Sequence, residues 1–183
     1  MPIQAGTHRF GPDTARLSVR TGRGGAAAKA GHDLAIDVTR WSGTLEVAED
    51  LEWTAVALDA DATSLRVHRG TGGMKPLGED DKANIQQTID DEVLKRQDIS
   101  FRSSRASSPD GGRVRVEGEL TLAGRTQPIA FEAAVGDDGT VAATAVVTQT
   151  RWGMKPYSAL FGALKVLDDV EVVFEGHSEP QSA

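Results

Sequence analysis

The sequence of 183 residues contains no cysteine. This absence excludes disulfide frameworks, thiol catalysis, and zinc or iron–sulfur sites that use cysteine ligands. A protein without disulfides fits a reducing compartment, so we expect a cytoplasmic location. A chain of this length buries a large core without cross-links, and we expect a single domain over residues 1–183.

Long apolar runs, a secretory leader and an excess of positive charge are also missing. No segment approaches the roughly 18–20 consecutive apolar residues that cross a bilayer, and Met1–Phe10 lacks the basic-then-apolar pattern of a signal peptide. The net charge of −7 disfavours a nucleic-acid or anionic-membrane partner, because both would repel most of the chain. We therefore expect a soluble protein with no nucleic-acid partner and no stable membrane insertion, and a homodimer is left open.

Catalytic and metal-binding motifs are absent as well. The four histidines, His8, His32, His68 and His177, do not share metal-ligand spacing, and there is no nucleophile elbow, phosphate loop or dinucleotide fingerprint. No metal and no cofactor is therefore expected. His32 precedes Asp33 at the start of a predicted strand, where it fits three roles: a hydrogen bond that ties the strand end, a contact to a ligand head group, or a catalytic base.

The strongest positive signal is alternation with a period of two residues. In Arg113–Leu122 every even position is apolar or glycine and every odd position is charged or threonine. This pattern predicts a strand with one dry and one wet face, as in antiparallel sheets. The same period recurs at 15–21, 34–39, 41–47, 56–61, 129–135 and 170–175.

One segment follows a helical period instead. Ile85, Ile89 and Val93 recur every four residues within 79–97, which predicts one amphipathic helix over an open end of the sheet. The many strands predict an all-β fold, either a sandwich or a closed barrel. An eight-stranded barrel has room for one small ligand.

Part of the sequence resembles a known family. Val116–Ile129, which reads Val-Glu-Gly-Glu-Leu-Thr-Leu-Ala-Gly-Arg-Thr-Gln-Pro-Ile, resembles the central signature of the YceI-like family. Ile99–Ser103 resembles the strand before that signature, Trp41–Leu45 an early strand, and Asp168–Val172 the closing strand. The resemblance covers about residues 7–177.

The resemblance implies an extended, lipocalin-like, eight-stranded antiparallel β-barrel with the helix of 79–97 as an insertion. It leaves a C-terminal tail, residues 178–183, which we expect to be flexible. Family members are similar to polyisoprenoid-binding proteins that hold a prenyl chain in an elongated lumen. We therefore expect a non-enzymatic carrier that binds and transports an apolar small molecule: a polyisoprenoid, a quinone or a fatty acyl lipid.

Candidate ligand-binding residues follow from the apolar faces of the predicted strands and from the apolar connections. The expected interior consists of Leu34, Ile36, Leu45, Val56, Leu58, Val116, Leu120, Phe131, Val172 and Phe174. The expected mouth consists of Met74, Ile85, Ile89, Trp152, Met154, Leu160 and Phe161. His32 and Tyr157 are the candidates for contact with a polar head group.

A short echo, Gly-Met-Lys-Pro at 73–76 and at 153–156, has two interpretations. The two segments are either similar loops or loops whose methionines line one opening, since methionine suits adaptable apolar surfaces.

Two other functions remain as alternatives. A barrel enzyme of the isomerase or cyclase type would use His32 or Tyr157 as acid or base, and would need a titratable group facing the lumen. A stress-linked structural protein would instead have a filled core and no cavity.

Overall fold

The computed structural model describes residues 3–110 and 112–178. In chain order the strands are β1 Gly6–Phe10, β2 Ala15–Thr21, β3 Arg23–Gly24, β4 Asp33–Val38, β5 Trp41–Val47, β6 Trp53–Ala60, β7 Leu65–Thr71, β8 Ile99–Asp110, β9 Arg113–Leu122, β10 Arg125–Val135, β11 Thr140–Thr148, β12 Ser158–Ala159, β13 Leu164–Val166 and β14 Asp169–His177. The helical segments are α1 Glu79–Thr88, a π-helical turn at Ile89–Val93, and 3-10 turns at Ala28–Ala30, Ala62–Ser64, Gln149–Trp152 and Leu160–Gly162.

Most strands form one curled antiparallel sheet in the order β1-β5-β6-β8-β9-β10-β11-β14-β2-β4-β7. Six of these strands are the halves of three bent strands, β1–β2, β4–β5 and β6–β7. The two halves of β1–β2 pair with the two halves of β4–β5, and these pair in turn with the two halves of β6–β7. Counted in this way, eight strands follow one another around a ring, and the last, β14, pairs with β2. The predicted antiparallel barrel is confirmed, although its strands are divided into more segments than expected.

A hydrogen-bonded corner bends the two long strands β4–β5 and β6–β7. The Thr39 amide donates to the Ser64 carbonyl (2.9 Å) and the Asp61 amide donates to the Arg40 carbonyl (3.0 Å), so the ladder continues through the bend. The Asp61 carboxylate accepts from the Thr63 amide (2.8 Å), the Thr63 hydroxyl (2.7 Å) and Arg40 Nε (3.0 Å). These donors, above all the Thr63 hydroxyl, lower the pKa of Asp61 from 3.8 to about 2.

The helix is shorter than the predicted 79–97. It is α-helical only to Thr88 and then widens into a π turn, in which the Leu94 amide donates to the Ile89 carbonyl (2.9 Å). The chain leaves the helix before Arg96, whose φ of 54° is left-handed and does not continue a right-handed helix. The polar residues after Val93 therefore led to a predicted helix that is longer than the one observed.

A buried histidine lies at the end of the barrel where β1 begins and β14 ends. His8 is 1% exposed, and its Nε2 pairs with the Gln4 carbonyl (2.7 Å) while its Nδ1 pairs with the Ser178 hydroxyl (2.7 Å). Because both ring nitrogens are satisfied, His8 has a structural role. Ser178 is the first residue of the tail predicted to be flexible, and it is buried; residues 179–183 of that tail lie outside the described residues.

The corner predicts a pH-dependent loss of stability for Asp61→Ala. The lowered pKa of Asp61 means that its charged form stabilises the fold above pH 3.8, and that this contribution is lost as the pH falls toward 2. We expect Asp61→Ala to lower the free energy of unfolding by about 1 kcal/mol at neutral pH, since the side chain also caps the 3-10 turn. Urea denaturation should show the difference from the unmodified protein shrinking as the pH falls from 3.8 to about 2.

Asp13→Ala is the matched control, because Asp13 is an exposed aspartate in a turn on another part of the ring. It should change the free energy of unfolding by no more than about 0.5 kcal/mol at any of these pH values. Equal effects of both substitutions would contradict the assigned role of Asp61.

Candidate ligand cavity

A cavity of about 540 Å³ lies inside the ring. Its wall is formed by the inward side chains of the main strands, which are mostly aliphatic and aromatic. The volume lies within the range of ~300–1,000 Å³ that is usual for small-molecule sites. The barrel thus encloses space for an apolar ligand of moderate size.

The inward side chains of the ring leave space in some places and fill it in others. The inward residues of β11 beside the cavity are Val141, Ala143, Ala145 and Val147, and the two alanines leave room in front of them. On β9, Val116 is buried without lining the cavity. Small inward residues such as the two alanines therefore contribute to the space.

Aromatic rings form a large part of the cavity wall. The Phe174 ring lies edge-on to Phe10 (5.2 Å between centroids) and to Trp41 (5.9 Å). A second pair, Phe101 and Phe131, has centroids 5.5 Å apart. Such pairs are stabilised beyond their area of contact, so this wall is held in place without a ligand.

The open end of the ring, here called the mouth, is built from the connections 22–32, 71–78 and 153–167 together with α1. His32 ties the first two connections, since its Nε2 lies 2.6 Å from the Lys75 carbonyl oxygen. Strand β13 pairs with β3 and ties the third connection to the first. The predicted helical stripe is confirmed here, because Ile85 of α1 and Ile89 and Val93 of the following π turn all line the cavity.

Polar side chains in the cavity wall are concentrated at the mouth. Arg23, His32, Tyr157 and Lys165 all line this end. The Arg23 guanidinium donates to the Gly31 carbonyl, and its Nε lies 3.8 Å from the nearest carboxylate oxygen of Asp33. A ligand with an apolar chain and a polar head would therefore find both kinds of surface in one cavity.

Fourteen of the predicted site residues line the cavity. They come from five strands on the ring, from the helix and from the mouth: His32, Leu34, Ile36, Leu45, Val56, Leu58, Ile85, Ile89, Leu120, Phe131, Met154, Tyr157, Val172 and Phe174.

Five predicted site residues lie outside the cavity wall, and two of them are packed in solid core. Val116 faces inward as its alternation predicts, but it is packed in the core at 0% exposure and does not line the cavity. Trp152 is 1% exposed in a 3-10 turn, where its Nε1 donates to the Leu120 carbonyl (2.8 Å). Its indole is thus used in packing and in a backbone hydrogen bond.

The other three, Met74, Leu160 and Phe161, point away from the cavity. Met74 is 82% exposed, whereas Met154, its counterpart in the sequence echo, is buried in the wall. Leu160 and Phe161 lie at the tip of the β12–β13 hairpin and are both exposed. The interpretation that both methionines line one opening is therefore wrong.

Several wall residues were not among the candidates. Leu17 and Val19 were recognisable from alternation in β2, whereas Ala143 and Ala145 were not, because β11 is apolar on both faces. The pairing of β11 with β10 and β14 decides that these two side chains point inward, and this pairing cannot be read from the sequence.

Two other features are absent from the described parts of the chain, a cluster of metal ligands and a membrane-spanning helix. Within residues 3–110 and 112–178, no three histidine, aspartate or glutamate side chains come together as metal ligands. In the same residues, no helix is both long and apolar enough to cross a membrane.

A barrel wrapped around an apolar cavity, with one helix over its mouth, is the architecture of a lipocalin-like binding fold. The family model of the YceI-like domain matches residues 13–177. The chain therefore belongs to the YceI-like family, as its central motif predicted.

Solved structures agree with this fold. BcnA of Burkholderia cenocepacia is 13% identical with a TM-score of 0.63, and the match covers 88% of this chain and 94% of BcnA. The YceI protein of Campylobacter jejuni is 16% identical with a TM-score of 0.55, covering 80% of this chain and 85% of that one. A mutant CJ YceI protein with a monobromobimane guest is 14% identical with a TM-score of 0.58 and the same coverage. Among curated proteins, no sequence matches significantly.

The packing role of Trp152 predicts a specific loss of stability. Trp152→Phe removes the Nε1 donor to the Leu120 carbonyl, and the loss of this hydrogen bond should cost about 0.5–1.5 kcal/mol in addition to any change in packing. Trp41→Phe is the control, because the Trp41 Nε1 has no partner among the described residues. Thermal and urea denaturation should show the larger loss for Trp152→Phe, and an equal loss for both would contradict the role of this hydrogen bond.

Proposed function

We propose that this protein is a non-enzymatic carrier that holds a long apolar molecule in its barrel. The observation that carries the proposal is the apolar cavity of about 540 Å³. Transfer of each CH₂ group from water is worth about 0.8 kcal/mol, so roughly ten carbons gain about 8 kcal/mol before the cost of immobilisation. Membership of the YceI-like family, whose members are generally binding proteins, supports the same function.

The proposed ligand is a polyisoprenoid, a quinone or a fatty acyl lipid. Its apolar chain would lie along the other twelve predicted residues of the wall, and its head would lie near His32 and Tyr157 at the mouth. We retain cytoplasmic transport of this ligand as part of the proposal, and cell fractionation tests the compartment.

The alternatives receive less support. A filled core would leave no space, but the ring contains a cavity. For the enzyme, His32 Nε2 is engaged with the Lys75 carbonyl oxygen at 2.6 Å, so that nitrogen is not free to act on a substrate in this arrangement.

Native purification followed by extraction in organic solvent and mass spectrometry tests the carrier directly. We expect an apolar molecule in near-stoichiometric amount. A protein that yields no such molecule, and that also fails to bind fluorescent prenyl and acyl probes, would overturn the proposal.

A matched pair of substitutions tests the location of the ligand. Ala143→Trp fills the cavity from β11 and should weaken binding of an acyl probe at least about tenfold, which corresponds to about 1.4 kcal/mol. Ala142→Trp adds the same ring on the exposed face of the same strand and should leave the affinity within about twofold. Ala145→Phe is a second cavity-filling variant, should Ala143→Trp fail to fold. Unchanged binding in a folded cavity-filling variant would place the ligand elsewhere.

A further inference from the structure

Exposed apolar side chains gather on the outer rim of the mouth. Of the seven large hydrophobic residues that are exposed in the described parts of the chain, five belong to the mouth connections. Phe161 is fully exposed and Leu160 is 59% exposed at the hairpin tip. The other three are Met74, Tyr157 and Leu167. This rim is therefore an apolar surface around the entrance to the cavity.

The backbone at the hairpin tip is also unfavourable for the residues it carries. Leu160 and Phe161 have left-handed φ values of 53° and 54°, a conformation that bulky side chains rarely adopt. The tip is held by the pairing of β12 with β13 and by the Ala27 amide, which donates to the Ala163 carbonyl (2.7 Å). Neither local conformation nor burial in the fold explains why two large apolar residues occupy this tip.

The charge around the same rim differs from that of the whole chain. The connections 22–32, 71–78 and 153–167 contain no aspartate or glutamate, although the net charge of the chain is −7. Their basic residues are Arg23, Lys29, Lys75, Lys155 and Lys165. The helix α1, which also belongs to the mouth, carries acidic residues at 79–81 in its first turn, where Lys82 lies 3.4 Å from Glu79. Beside the connections, Asp33 lies near Arg23 and Asp168 accepts from Thr150.

We propose that the mouth docks on the surface of an anionic lipid bilayer. Leu160 and Phe161 would enter the boundary between head groups and acyl chains, and the basic side chains would lie against the lipid phosphates. Amphipathic surfaces with apolar tips and flanking lysines bind bilayers in this way without spanning them. The average charge of the chain disfavours such a surface, but the fold gathers basic residues of three separate segments at one end.

A second copy of the chain suits this rim less well than a bilayer does. Two mouths facing each other would bring like charges together, which opposes association. The apolar tip, Leu160 and Phe161, and the lysines at 29, 75 and 155 do not line the cavity, so the inference goes beyond ligand binding and does not depend on it.

Sedimentation with vesicles tests the inference. The full-length protein should sediment with vesicles of phosphatidylcholine mixed with phosphatidylglycerol, and less with vesicles of phosphatidylcholine alone. The double variant Leu160→Asn with Phe161→Asn should lower the partition coefficient at least about tenfold, since two apolar side chains are lost. It should keep or raise the melting temperature, because asparagine tolerates a left-handed backbone.

Leu51→Asn is the matched control. Leu51 is also half-exposed (50%) with a left-handed φ of 68°, but it lies in the β5–β6 turn, away from the mouth. It should leave vesicle binding unchanged. Lys29→Gln with Lys155→Gln should weaken binding to the anionic vesicles by on the order of fivefold per lysine and leave binding to neutral vesicles unchanged.

Three outcomes would overturn the inference: no sedimentation of the unmodified protein with anionic vesicles, equal sedimentation of the asparagine double variant, or light scattering that shows this variant to break a dimer. An acyl probe in vesicle-free buffer keeps the two proposals distinguishable. Probe binding without vesicle binding overturns docking and leaves the carrier intact. Vesicle binding without probe binding overturns the carrier and leaves docking intact.

Discussion

The closed hydrogen-bonded ring of eight strands is the constraint on which the rest of this structure depends. Once every strand has a neighbour on both sides, the number of strands sets the width of the barrel, whatever volume the inward side chains supply. Val114 and Val116 are buried without lining the cavity, whereas Ala143 and Ala145 line it and leave room in front of them. The cavity is therefore the part of this width that the inward side chains do not fill.

The mouth depends on the same ring in a different way. Its three connections lie outside the main ladder and are held by a few local contacts: the bond from His32 to the Lys75 carbonyl and the pairing of β3 with β13. Side chains in these segments do not have to alternate between the inside and the outside of the barrel. The segments therefore carry an exposed phenylalanine and several lysines, which do not fit the alternating pattern of the strands. Most of the charged side chains of the cavity wall and most of the exposed large apolar side chains of the described residues are accordingly found in one region of the molecule.

Much of the wall could be predicted from the sequence because alternation is a local property. Leu34 and Ile36 face the cavity for the same reason that they alternate with polar neighbours. Depth along the barrel is not local: Val116 and Leu120 share a strand and a face, yet only Leu120 reaches the cavity. The end of the helix also escaped prediction, since polar, helix-favouring residues continue beyond the point where the backbone turns away.

The sequence by itself determined the strand pattern, the position of the helix and the family, because each is encoded by neighbouring residues. The tertiary structure alone decided which Gly-Met-Lys-Pro methionine is buried, that Trp152 serves the core, and which face of β11 is inner. The two Gly-Met-Lys-Pro segments have the same sequence but lie in different surroundings. The inner face of β11, which is apolar on both faces, is decided by the strands that pair with it. The missing cysteines excluded several kinds of chemistry, but the space inside the ring depends on contacts between residues far apart in the chain.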